Sequence, residues 1–224
     1  MESDRKTGLK VGLLFIIATV TAILTIVILG ATLETPLDHT IIIENEYLIG
    51  LAALFWIILA ASVTGIGFMM YPILKKHHKS LAIGYISFRI TESISIIIST
   101  ITLLSILTIS QNYFSGFIDS VNYQSMGYLL LALQDWSFEI GTLIFLGLGG
   151  LFLYYPLYEL RAVPRWLSVW GLIGAVCVLV YGLLGLFGFT DSVFVNILAA
   201  PIAVQEMVFA LWIIGKGFKS LEKN

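Results

Sequence analysis

Residues 166–189, WLSVWGLIGAVCVLVYGLLGLFGF, carry no charged side chain. A helix crosses the hydrocarbon core of a bilayer in about 20 residues. In that core each backbone N–H and C=O must be bonded inside the segment, which a helix does by itself. A run this long and this apolar therefore reads as a membrane-spanning helix. Further runs at roughly 10–33, 47–74, 81–109, 126–156 and 193–217 meet the same requirement. Of the 224 residues, 58% are hydrophobic and only 12% are charged, about half the charge of an ordinary soluble domain. The expected fold is all-α: a polytopic bundle of six transmembrane helices, forming one domain over residues 1–224. The third and fourth runs exceed what a bilayer needs, so they are expected to tilt or project beyond it.

The first run follows Arg5, Lys6 and Lys10, as a secretory signal would. Its apolar part is longer than a signal core and no small-x-small cleavage site follows, so it is read as a retained helix. The single cysteine, Cys177, lies in an apolar run. It cannot form an intrachain disulfide and is read as a packing residue.

The cations set an orientation. Arg5, Lys6 and Lys10 precede the first span, Lys75, Lys76 and Lys79 separate the second from the third, Arg161 and Arg165 separate the fourth from the fifth, and Lys216, Lys219 and Lys223 follow the last. The opposite connections hold Glu34, Asp38, Glu44, Glu46, Asp119 and Asp191, with a short Thr190, Asp191, Ser192 turn before the last span. Of twelve Lys and Arg residues only Arg89 departs from this pattern. Basic loops stay on the cytoplasmic side, so both termini are expected there, in the cytoplasmic membrane. Tyr71, Tyr154, Tyr155, Tyr158 and Trp166 fall near that boundary, where amphipathic rings favour the headgroup layer. Trp56 and Trp212, inside spans, are read as packing residues.

A weak internal echo links YPILKK and KSLAIGY to YYPLYEL and RWLSVWG. Duplication of a helical hairpin would produce it, as in transporters built from parallel repeats. Two interfacial turns sharing the same border chemistry would produce it as well.

Five ionisable residues lie deep in spans: Arg89 and Glu92 in the third, Asp135 and Glu139 in the fourth, and Glu206 in the sixth. An Asp, Lys or Arg at a helix centre costs about 2.5–3.5 kcal/mol on insertion scales, so these groups should face the interior and find partners. The i,i+3 pair Arg89/Glu92 and the i,i+4 pair Asp135/Glu139 each share a helical face. Tyr85, Ser95 and Ser99 extend the first stripe, Thr142 extends the second, and Tyr85 and Gln205 are candidate supporting residues. Arg89 is about ten residues from Lys79 and Glu206 about ten from Lys216, so both sit roughly 15 Å inside the cytoplasmic border and can meet Glu92 in one layer. Asp135 and Glu139 lie nearer the outer side. Full ionisation would leave one arginine among four carboxylates. Desolvation and like charge then favour protonation of one or more acids, or uptake of a cation. A structural reading stands beside this one: Arg89 is neutralised by Glu92 and Glu206, and the pairing does no more than lock the bundle.

Other motifs are weaker. His77 and His78 in KKHHK resemble a metal motif, but a basic loop against anionic lipid explains them better. His39 has no second histidine nearby. No Gly-x-Ser-x-Gly, His-Glu-x-x-His, P-loop or dinucleotide fingerprint is present. The glycines of GLGGLF and GLLGLFGF are read as close-approach positions between helices.

VPRWLSVWGLIGA, APIAVQEMVFALWIIGKGF and SFRITES resemble segments of the DUF4386 membrane proteins of bacteria and archaea. In that family the third helix carries an arginine and a glutamate one turn apart, the fifth opens with Pro-Arg, and the last holds a glutamate before Leu-Trp and a terminal Gly. The resemblance covers nearly the whole chain in span number and order. Residue by residue it touches Arg89, Glu92, Pro164, Arg165, Glu206, Trp212 and Gly217, but nothing in the first two spans and neither Asp135 nor Glu139. It implies the fold and no activity. The expected function is a small-molecule or ion translocator, proton- or cation-linked, or a receptor. The alternatives are a structural or accessory protein with a charge-locked core, and a lipid-modifying intramembrane enzyme, whose nucleophile or metal set the sequence does not display. The expected partners are the bilayer and a small molecule or cation, with no nucleic acid, cofactor or metal.

Overall fold

A computed structural model describes residues 2–33, 37–189 and 197–219. The elements are α1 (Glu2–Thr32), α2 (His39–Glu44), α3 (Glu46–Leu74), α4 (Lys79–Phe114), α5 (Ser120–Trp136), a π-helical segment (Ser137–Ile144), α6 (Phe145–Glu159), α7 (Arg165–Leu186) and α8 (Ala200–Lys216). No strand occurs among the described residues. Five helices are long and apolar enough to cross a membrane: Arg5–Thr32, α3, α4, the continuous Ser120–Glu159, and α7. The chain is thus a membrane-type helical protein. Glu34, the Thr190, Asp191, Ser192 turn, Lys223 and the start of the last expected span lie outside the described residues.

The third and fourth spans run longer than the sequence boundaries suggest, over 36 residues in α4 and 40 in Ser120–Glu159. The start of the second of these is held by a side chain, whereas α4 begins after His78 with no side-chain cap. Asp119 accepts from the Asn122 N–H at 2.9 Å and so caps α5. Asp38 accepts from the Thr40 N–H at 2.8 Å and caps the short helix α2, which lies within the connection between the first two spans. These backbone donors hold both carboxyls below the usual aspartate range. Pro72 and Pro156 fall in the last turns of α3 and α6, where each withholds an N–H from the carbonyl four residues earlier and crowds it with its ring.

The helices pack in a ring: α1 on α3, α3 on α4, α4 on α6, α6 on α7, α7 on α8, and α8 back on α1. Two apolar clusters fill it. One joins α1, α3, α4, α6, α7 and α8 towards the end that carries the basic connections. The other joins α1–α5 towards the opposite end. Within α4 most hydroxyls bond back to carbonyls four residues earlier. Ser93 also reaches Ala60 O at 3.0 Å and Thr64 Oγ1 at 2.8 Å on α3. Most of the polar content of α4 is thereby satisfied within the helical bundle, while Ser99 Oγ is buried without a hydrogen-bond partner among the described residues.

Tyr154 departs from expectation. It is fully buried, packed edge-on against Phe209 at 5.8 Å, and its ring occupies the space above Gly171 that a Cβ would take. Its neighbour Tyr155 is 52% exposed. Consecutive helical residues point about 100° apart, so only one of two adjacent tyrosines can reach a headgroup layer.

The α6–α7 seam depends on small residues. A Cβ at Gly150 would stand 2.8 Å from the Ala175 Cβ, whereas one at Gly50 meets nothing within 4 Å. Gly150→Ala is expected to destabilise by about 1–3 kcal/mol through overpacking. Gly50→Ala should be neutral or stabilising by up to about 1 kcal/mol, because it only removes unfolded-chain freedom. Thermal unfolding in detergent compares the two directly.

Candidate functional site: a buried arginine and an acidic cleft

Arg89 sits inside the helix ring, 2% exposed. Its Nη1 donates to Glu92 Oε2 at 3.0 Å and Oε1 at 3.3 Å, one turn along α4. Nη2 donates to Glu206 Oε1 on α8 at 3.1 Å, and Nε donates to the Tyr85 hydroxyl at 3.1 Å. The guanidinium also lies 5.6 Å from the Phe15 ring of α1 and 5.5 Å from that of Tyr85, within cation–π range. Behind it α3 offers Gly67, where a Cβ would come within 3.1 Å of the Arg89 Cβ. Four helices thus meet on one side chain. All three guanidinium nitrogens are engaged, and the side chains of Arg89 and Glu92 are 3% and 4% exposed. Beside this cluster, buried Gln205 donates to Leu167 O at 3.1 Å and ties α8 to α7.

Asp135 and Glu139 are not part of this cluster. They line a cleft of about 610 Å³ bounded by the second half of α1, Trp56 of α3, the α5–π junction and Tyr181 of α7. Glu139 leans over Gly185 of α7, whose missing Cβ would overlap its carboxylate. Among the described residues, no Lys, Arg or His lines the cleft. Gln134, only 8% exposed, belongs to the same wall, and both Gln134 Oε1 and Glu139 Oε1 are buried without a hydrogen-bond partner. Glu139 precedes Glu159, at the basic end, by about twenty residues, which places it roughly 30 Å away along the helix. That is the far edge of a hydrocarbon core.

The π segment shapes this wall. Its i→i+5 bonding widens the turn and rotates Thr142 off the face shared by Asp135 and Glu139. Thr142 is buried and does not line the cleft, contrary to the α-helical stripe expected from spacing. Gly141 in the same segment presses on Ser95 of α4, so the cleft and the Arg89 cluster lie on either side of one helix contact. Sequence reasoning missed Phe15, Gly67, Gln134 and Tyr181, and it read Gly185 as a close-approach position between helices without its contact to Glu139. Gly67 and Gly185 are visible as interruptions of apolar runs; the others give no signal of their own.

The remaining candidates have local roles. His78 Nε2 pairs with Glu159 at 2.9 Å and joins the two basic connections. His39 packs against Tyr113 at 4.4 Å. No cluster of three or more His, Cys, Asp or Glu suited to a metal occurs among the described residues. Gly217 ends α8 at φ 69°, and beyond it the Lys219 N–H donates to Ala162 O at 2.9 Å, returning the chain to the α6–α7 connection.

A family model described as a domain of unknown function (DUF4386) matches residues 11–217. No curated protein and no solved structure matches the chain.

Proposed function

The chain belongs to the DUF4386 family, and on that premise we propose that it is a six-span protein of the cytoplasmic membrane that binds or carries a small cationic species at Asp135 and Glu139. Both termini face the cytoplasm in this reading. The placement of all Lys and Arg residues except Arg89 supports that orientation, and the apolar sequence over 193–217 supplies the length of a sixth span. One observation carries the functional part: two carboxylates and an unpaired amide oxygen stand on the wall of a cleft that no cation lines among the described residues. Acids that gain nothing from a protein partner are retained in a membrane protein at a cost, and uptake of a cation, the proton included, gives that cost a purpose.

The Arg89 cluster supports a second, structural role within the same protein. Each guanidinium nitrogen already has a partner, so it offers a ligand little but holds α4 to α8. If that lock were the whole function, the cleft carboxylates would be dispensable. The test uses full-length protein in proteoliposomes and nanodiscs, with protons, sodium and tetraphenylphosphonium as probes. Asp135→Asn and Glu139→Gln are expected to abolish or sharply weaken cation-dependent thermal stabilisation and any uptake, while the fold persists. Identical responses from wild type and both variants would remove the cation-binding reading and leave the structural one.

A further inference from the structure

We infer that the cation taken up by this cleft is a lipophilic organic one, an amine or quaternary onium on a hydrocarbon or aromatic body, rather than a proton or a metal ion. The inference rests on the reading of Asp135 and Glu139 as cation acceptors and adds the ligand's class. Three properties of the wall support it.

The first is the shortage of oxygen ligands. A calcium ion takes six to eight oxygens at about 2.3–2.6 Å, and magnesium demands a near-octahedral set. Here Asp135 and Glu139 stand a helical turn apart, with Gln134 and Tyr181 as the further polar side chains on the wall among the described residues. No third acidic, histidine or cysteine side chain joins them in a metal-ready group among the described residues. An onium ion needs no such shell, because two carboxylates and aromatic walls suffice for it.

The second is size and surface. A volume of about 610 Å³ falls in the range of small-molecule pockets, roughly 300–1,000 Å³, and far exceeds what a bare ion requires. Trp56, Phe138 and Tyr181 line it, and among the described residues the rest of the wall, apart from Gly30 and the polar groups already named, is aliphatic. Such a surface rewards a ligand with an apolar body and a single charged head. Gln134 Oε1, buried and unpaired on the same wall, adds an acceptor suited to an ammonium N–H.

The third is position. The carboxylates lie roughly 30 Å along the helix from the basic end, and Asp135 itself is exposed. The cleft therefore opens near the headgroup layer of the opposite face. Lipophilic cations concentrate in that layer, charge in the interface and hydrocarbon in the acyl region.

The experiment measures binding of radiolabelled tetraphenylphosphonium to full-length protein in nanodiscs, with tetraphenylborate, the anion of the same shape, as competitor. Sodium, calcium and pH are varied in parallel. Saturable phosphonium binding is expected, not displaced by tetraphenylborate, about tenfold or more weaker in the Asp135→Asn/Glu139→Gln double variant and several-fold weaker in Trp56→Ala. If tetraphenylborate competes equally well, the cleft is merely greasy and the inference is overturned. If phosphonium binding is absent while proton or sodium binding is lost in the double variant, the organic class is wrong and the cation site stands. If no cation distinguishes wild type from the variant, both readings fall. Should the double variant fail to fold, the wild-type contrast between phosphonium and borate still decides the question.

Discussion

Arg89→Leu alone is expected to cost about 3–5 kcal/mol, because it strands two carboxylates inside the helix ring without their counter-charge. For a chain of this size that corresponds to a fall of roughly 10 °C or more in the unfolding temperature. The variant also frees the Tyr85 hydroxyl and opens space beside Gly67. Because the loss arises from stranded charge more than from missing attraction, it should be repairable. Replacing all three charged partners together, Arg89→Met with Glu92→Gln and Glu206→Gln, should recover most of the stability, as buried ion pairs exchanged for neutral groups of similar volume often do. Glu206→Gln alone keeps an acceptor for Nη2 and should cost less than Arg89→Leu. Detergent thermal unfolding of the three variants is the measurement. Unchanged stability in Arg89→Leu would show that the cluster does not lock the bundle, whatever its geometry.

The Arg89 cluster was readable before any coordinates because it obeys rules that need only sequence. Charges are expensive in hydrocarbon, a helix rises about 1.5 Å per residue, and i,i+3 residues share a face. Those rules placed Arg89, Glu92 and Glu206 at one depth, and the three are bonded in the structure. They could not find Phe15 or Gly67. In a helix that is apolar all round, the side facing lipid and the side facing protein look alike, so nothing in the composition of α1 or α3 marks the residue that meets the guanidinium. The same blindness put Tyr154 at the interface with Tyr155. The π segment was hidden for a different reason: i→i+5 bonding has no residue code, and it alters which of Glu139 and Thr142 faces the cleft. Gln134 was overlooked because a neutral amide attracts no notice beside Asp135. Sequence reading listed all five charged residues as one candidate set, though it placed Asp135 and Glu139 nearer the outer side. The structure separates them into a closed, paired cluster and an open, unpaired one.

Closure of the ring depends on apolar contact as much as on charge. Phe209, one turn after Glu206 on α8, is fully buried and packs on Phe15 of α1 at 5.5 Å and on Tyr154 of α6 at 5.8 Å. Truncating a buried Phe to Ala in a soluble core costs about 3–5 kcal/mol, part of it transfer from water and part of it the cavity left behind. Inside a bilayer the transfer part largely vanishes, because lipid is as apolar as the core, and the packing part remains. Phe209→Ala is therefore expected near the lower end of that range, about 3 kcal/mol. Phe68→Ala, at a site 57% exposed, should change stability by no more than about 0.5 kcal/mol. The contrast separates packing from hydrophobicity, since both variants delete the same ring. Phe209 also fixes the helix that presents Glu206 to Arg89, so the two should not be independent. A double-mutant cycle between Phe209→Ala and Glu206→Gln is expected to show a coupling of about 0.5–3 kcal/mol, as residues within one network do. Strict additivity in detergent unfolding would mean that α8 is held by its apolar face alone and that the Arg89–Glu206 pair is a passenger on it.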